Sequence, residues 1–405
     1  MSSTTTQPRP RRMNAVLRSE ERVRPLELFF DLVFVLAFTQ CTALMAAQPT
    51  WQGLARGLLV FCVLWWAWVG YAWLTSVVDP EEGAVRFAMF AAMAGFLIVA
   101  IATPDAFGDL ALPFALAYGA VRAAHIALFV LASRDDPGLR HSVIGLAISS
   151  AIGVGLLIGA SFLDGLAQGG LWLLALTLDM AGPLFFIDAG GWRLEPGHFA
   201  ERHGLIIIIA LGESIVAIGL GAHTHLTAGI AAAAVLGVGL AAALWWMYFD
   251  LVALVSRRRL VNAPEGLVRN TLARDSYSYL HLPMVAGIVL AALGLKTTLG
   301  HVDDSLHTIP AFALLGGVSV YLLGLVGFRY RHVHTINRRR LAMALLLFAL
   351  LPVATTIPAL ATLGIVTALL AAMITYETLS YGEGRGQVRH EDFVPPEHHA
   401  TSPQR

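Results

Sequence analysis

Long apolar runs separated by short polar breaks repeat along this chain from Leu26 to Leu379. Each run holds about twenty residues, enough to cross a ~30 Å hydrocarbon layer as a helix. The pattern predicts twelve spans, at 26–46, 54–75, 84–103, 110–132, 141–160, 169–188, 203–222, 227–255, 277–299, 308–328, 341–356 and 358–380. The last two are the least distinct, because Pro352 and Pro358 leave almost no polar loop between them. The expected fold is therefore all-α: a polytopic integral membrane bundle of about twelve transmembrane helices.

Composition agrees with this pattern. Of the 405 residues, 57% are hydrophobic and only 13% charged, against about 25% charged in an ordinary soluble domain. The first apolar run starts only at Leu26 and lacks a small-residue cleavage site, so the first helix is expected to be retained rather than removed as a signal peptide. The two cysteines, Cys41 and Cys62, lie inside apolar runs, where a thiol behaves as a small hydrophobe.

Charge placement tests the span count. With twelve spans, all but three of the 27 Lys and Arg fall on the face that carries both termini, and the other face has loops such as "TPDAFGD" and "HVDDSLH" with none. The exceptions are Arg56 at a helix start, Arg122 within span four and Lys296 within span nine, where snorkelling to the headgroups is the simpler account. The positive-inside rule then puts both termini in the cytoplasm. The chain divides into a basic arm (1–23), a transmembrane domain (24–380) and a polar tail (381–405), the arm and tail expected to be disordered.

A weak internal similarity runs through the membrane region. "VLWWAWVGYAW" in span two matches "ALWWMYFDLVAL" in span eight, "MAGFLIVA" in span three matches "VAGIVLAA" in span nine, and "FALAYGAV" in span four matches "FALLGGVS" in span ten. Two parallel six-helix halves, 24–195 and 196–380, would produce this order. So would chance, since apolar sequence draws on few residue types.

Charged side chains near mid-bilayer cost at least ~2.5 kcal/mol, so they face a cavity or one another. Arg122, Asp179 and Glu213 lie near the middle of spans four, six and seven, with His125 about 60° around the helix from Arg122. Arginine does not shed its proton, so Arg122 is expected to meet Asp179 or Glu213. Either the group is a structural tie between helices or an acid alternates between Arg122 and a proton or cation. Glu213, flanked by Gly212 and Ser214, suits a close helix contact around a proton-carrying carboxylate. Glu27, Asp31, His203, Asp250, His281 and Glu377 sit nearer the arginine-rich ends of their spans. Glu27 and Asp31 share a helix face, with Arg22 and Arg24 before them as expected ion partners; a vestibule or cation site is the alternative. His203 reads as a proton relay, a headgroup ligand or a solvated interfacial residue. The indoles at Trp65, Trp66, Trp68 and Trp73 surround their helix and read as packing against lipid and neighbours. Ala147, Ala151, Gly155 and Gly159 form a small-residue row that predicts tight helix packing.

No Walker loop, H-E-x-x-H or G-x-S-x-G elbow is present, so an enzyme is not expected, nor a cofactor, a metal site or a nucleic-acid partner. Two longer phrases carry a family resemblance. "ELFFDLVFVLAFTQ" at 27–40 and "ERHGLIIIIALGES" at 201–214 resemble the hallmark segments of the bacterial low temperature requirement protein A (LtrA) family. The resemblance implies a multi-pass inner-membrane protein linked with growth in the cold, and makes Glu27, Asp31, Glu201, Arg202, His203, Gly204 and Glu213 signature polar residues. The functional expectation is a proton- or cation-coupled secondary transporter working through Glu27, Asp31, Arg122, His125, Asp179, His203 and Glu213. Its partners would be the lipid bilayer and a small solute or ion of unknown identity, with a homo-oligomer left open. The alternative is a membrane protein of structural or stress-adaptation role, in which the same charges only fix helix pairing.

Overall fold

In the computed structural model the described residues are 22–185, 189–221 and 226–380. Most of the expected amino-terminal arm, and all of the tail, lie outside them. The apolar runs form helices because a backbone in hydrocarbon must satisfy its N–H and C=O groups within its own segment. The first seven are α1 (Pro25–Ala47), α2 (Trp51–Thr75), α3 (Gly83–Ala102), α4 (Ala111–Ala132), α5 (Pro137–Ala160), α6 (Gly165–Phe185) and α7 (Pro196–Gly221). After α8 (Ala228–Phe249) come the shorter α9 (Val252–Val261) and α10 (Leu267–Ala273), and then α11 (His281–Gly300). The tenth span joins α12 (Thr308–Ala311) to α13 (Gly317–Val333); the last two are α14 (Arg338–Ala349) with α15 (Leu351–Ala354), and α16 (Ala359–Ser380).

Side-chain caps set several starts. Thr50, Asp136 and Thr227 accept from Gly53, Leu139 and Ile230 at the heads of α2, α5 and α8, a contribution of about 1 kcal/mol each. Wide π turns interrupt two spans, at Arg274–Tyr279 before α11 and at Phe312–Gly316 between α12 and α13. No strand forms among the described residues; one isolated antiparallel bridge joins Ser305 to Pro358.

Ten helical stretches are long and apolar enough to cross a membrane on those grounds alone. The two other predicted spans, α6 and the broken α14–α15, run between the same two faces of the bundle, as the contacts at their ends show. On the arginine-rich face, Arg24 meets Asp79, Glu195 meets Ser76, Arg193 meets Asp136, the Asn270 amide donates to the Trp192 carbonyl, and Arg340 meets Glu377. On the other face, Arg56 covers the Phe107 ring, Trp51 packs on Phe312, and the Ala359 N–H donates to the Asp304 carbonyl. Contacts pair even-numbered loops with even and odd with odd, as twelve crossings require. The 338–354 stretch is broken at Leu350, yet its 17 residues rise about 25 Å. Span eleven thus starts and stops a little earlier than expected, and span seven starts seven residues earlier, at Pro196.

The spans differ in burial. Windows in α2, the α10–α11 stretch and the α12–α13 stretch are 72%, 78% and 83% buried, against 33% for α16, so the former are the central helices. Gly287 and Gly317 let α11 and α13 touch backbone to backbone: a Cβ on Gly287 would stand 2.5 Å from the Gly317 oxygen. Around this core, large apolar side chains such as Phe87, Ile101, Ile148, Ile215 and Val235 face outward, as lipid contact demands.

The small-residue row on α5 is a correction. Ala151 and Gly155 are exposed, and Gly155 has nothing within 4 Å of an added Cβ. The close approach to α6 uses the adjacent face instead, where Cβ atoms on Gly153 and Gly182 would stand 3.4 Å from Asp179 Cβ and 2.9 Å from Ser149 Oγ. The four-residue spacing was real; it points to lipid. Cys41 and Cys62 are free thiols.

Candidate functional site

Three buried polar groups emerge, two of them between α1 and α7 and one among α4, α5 and α6. The first joins α1 to α7. Glu27 and Asp31 lie one turn apart on the same face of α1 and both are fully buried. Arg202, also fully buried, donates from Nη1 to Glu27 Oε1 at 3.0 Å and from Nη2 to Asp31 Oδ1 at 2.6 Å. His198 Nε2 lies 2.8 Å from the same Glu27 oxygen, the Arg24 backbone N–H donates to Glu27 Oε2, and the Trp68 indole donates to Asp31. The expectation that Arg24 pairs with these acids through its side chain is corrected: the Arg24 guanidinium goes to Asp79, and the counter-charge on Glu27 and Asp31 is Arg202. Because α7 begins at Pro196, Arg202 lies inside the helix rather than before it. Pro at the first position of a helix was the available signal.

His203 follows Arg202 and is fully buried too, not solvated at an interface. Its Nδ1 lies 2.8 Å from the Phe199 carbonyl, and its ring packs against Trp68, Tyr277 and His281 at centroid distances of 5.0, 5.3 and 5.1 Å. The wide turn at Arg274–Tyr279 also serves the indoles: Trp65 donates to the Ser278 carbonyl and Trp73 to its hydroxyl. Trp65, Trp66 and Trp68 are all buried in protein, so packing against lipid is corrected for them.

The second group joins α4, α5 and α6. Arg122 meets Asp179, with Nη2 at 3.0 and 3.1 Å from its two oxygens, and the same nitrogen donates to Ser150. His125 stands beside it, against the Gly70 backbone and the Tyr71 ring at 5.1 Å. Depth matching left Asp179 and Glu213 open as partners of Arg122, and the structure selects Asp179.

Glu213 forms the third group, apart from that pair, so the single cluster of Arg122, Asp179 and Glu213 does not form. It is 1% exposed and lies against α1, where Thr39 Oγ1 and Thr42 Oγ1 approach its two oxygens at 2.5 and 2.7 Å. No basic side chain lies within ion-pair distance among the described residues. The threonines were invisible to the search for charges, although Thr39 sits inside the first hallmark segment and Thr42 two residues beyond it. Of the outlying polar residues, Glu377 pairs with Arg340 at 2.9 Å, and His281 Nε2 lies 2.8 Å from the Tyr248 hydroxyl.

Helices crossing twelve times around buried, mutually paired charges define a multi-pass membrane protein. The chain belongs to the bacterial low temperature requirement A (LtrA) family, whose profile matches residues 22–375. It is similar to an uncharacterized protein of Rhizobium meliloti (strain 1021), 30% identical over 310 residues that cover 74% of this chain and 75% of the relative. No solved structure matches it.

Proposed function

We propose that the chain is a proton-coupled secondary transporter of the inner membrane, its arginine-rich face in the cytoplasm, with Glu213 as the proton carrier. The observation that carries this reading is the double set of partners around Glu213. Each threonine hydroxyl reaches both a Glu213 oxygen and a backbone carbonyl: Thr39 lies 3.0 Å from the Val35 oxygen and Thr42 2.8 Å from the Thr39 oxygen. When Glu213 is ionised, the hydroxyls donate to it. When it is protonated, it donates to a threonine, whose own proton turns to the backbone. Hydrogen bonding is therefore satisfied in both states, and among the described residues no basic side chain is within ion-pair distance, Lys296 acting on the carboxylate only from further off. Arg122, His125 and Asp179 would then belong to the solute path.

The test is proton flux in proteoliposomes carrying a pH-sensitive dye, driven by a panel of solutes. A solute that drives flux in the parent and not in folded Glu213→Gln supports the assignment; undiminished flux in that variant removes it.

A second reading has its own observation. Glu27, Asp31, His198 and Arg202 are all sealed from solvent, as in a non-transporting membrane protein whose charges fix helix pairing, with a stress role matching the low-temperature requirement in the family's description. Absence of flux with every solute, together with cold-sensitive growth of cells lacking the protein, would favour it.

A further inference from the structure

A cavity of about 60 Å³ lies between α2, α4 and the wide turn that precedes α11, at the base of a cleft that opens to solvent. Trp66, Trp73 and Trp192 wall it, Arg122 and His125 stand at its deep end, and Arg274 stands toward the arginine-rich face. Among the described residues, no Asp or Glu lines it.

The deep end holds donors in search of an acceptor. Arg122 directs Nη2 to Asp179 and Ser150, while its Nε has no partner. Neither ring nitrogen of His125 makes a well-formed hydrogen bond. Both side chains are 1% exposed or less, and each buried polar group left unsatisfied costs about 1–3 kcal/mol. Room beside them depends on Gly70, where an added Cβ would stand 2.8 Å from His125 Cε1 and 3.1 Å from Arg122 Nη1.

We propose that this cavity binds a small monocarboxylate with a flat apolar body, the carboxylate on Arg122 and His125 and the body between the indoles. The substrate class rests on placing Arg122 in the solute path; the binding itself does not. A planar guanidinium serves carboxylates on two edges, so Asp179 keeps its contact while the ligand takes the free edge. A neutral imidazole carries one N–H for the same group. One negative charge fits better than two, because Arg122 is already paired; at the mouth, Arg274 and Arg331 share the single acid Asp275, which leaves one excess positive charge to draw an anion in.

The experiment uses the full chain in nanodiscs, benzoate as the probe, and benzylamine and benzyl alcohol as charge controls, read by calorimetry and tryptophan fluorescence. Saturable benzoate binding, at least tenfold tighter than either control, is expected. His125→Leu removes a donor without stranding a charge, and Gly70→Ala fills the space; each should weaken binding tenfold or more while the protein stays monodisperse. No saturable benzoate binding, equal binding of either control, or unchanged affinity in both variants overturns the site. Binding without benzoate-driven flux in proteoliposomes keeps the site and removes the transport reading. Flux of another solute without benzoate binding does the reverse.

Discussion

The α1–α7 network and the α4–α6 pair solve the same problem, an arginine deep in a bundle, in different ways. Arg202 has two acids, a threonine and an indole face around it, and the group is closed to solvent. Arg122 has one acid on one nitrogen and leaves another edge beside a cavity. The difference teaches that depth alone does not mark a working charge. Both guanidiniums keep an unpartnered Nε; what separates them is that Arg202 has two acids in a closed surround, whereas Arg122 has one acid and stands beside a cavity.

The largest effect should come from the closed network. Arg202→Met strands two buried acids, and removing one partner of a buried pair costs about 3–5 kcal/mol; thermal unfolding in detergent should show loss of most folded protein. Arg122→Gln should cost less, because Ser150 still donates to Asp179 at 3.3 Å. Adding Asp179→Asn should then recover part of the loss, with a coupling of about 0.5–3 kcal/mol in a double-mutant cycle. Additive losses would mean that the two side chains do not interact.

Smaller substitutions sharpen the contrast at α5. Gly182→Ala forces a methyl group toward Ser149 and should cost about 1–3 kcal/mol through overpacking. Gly155→Ala, facing lipid, should stay within about 0.5 kcal/mol. Equal melting temperatures would undo the assignment of the packing face. A pH-dependent effect belongs to Asp136, outside the membrane, whose carboxyl is held below its ordinary range first by the Leu139 N–H it caps and then by Arg193. A depressed carboxyl stabilises the fold above its unfolded pKa, and that share fades as pH falls through the lower folded value. Asp136→Ala should cost about 1 kcal/mol near neutral pH and nothing in strong acid, where a pH series of melting curves should converge.

Much of this was legible in the residues. Twelve crossings followed from the apolar runs and the arginine bias, and equal depth left Arg122 two candidate acids, of which the structure selects Asp179. The partner of Glu27 and Asp31 was hidden for a physical reason: hydropathy placed the start of α7 near 203, whereas Pro196 begins it, so Arg202 looked like a loop charge. Glu213's threonines were missed because uncharged hydroxyls carry no hydropathy signal. The indoles misled through their spacing around α2, since a central helix has protein on every side.

The central claim is that Glu213 gains and loses a proton inside the bundle. Infrared difference spectroscopy of the protein in lipid across a pH series reads this directly, as a carboxyl C=O band that titrates and disappears in Glu213→Gln. A band that survives in that variant, or no titrating band at all, would contradict the account.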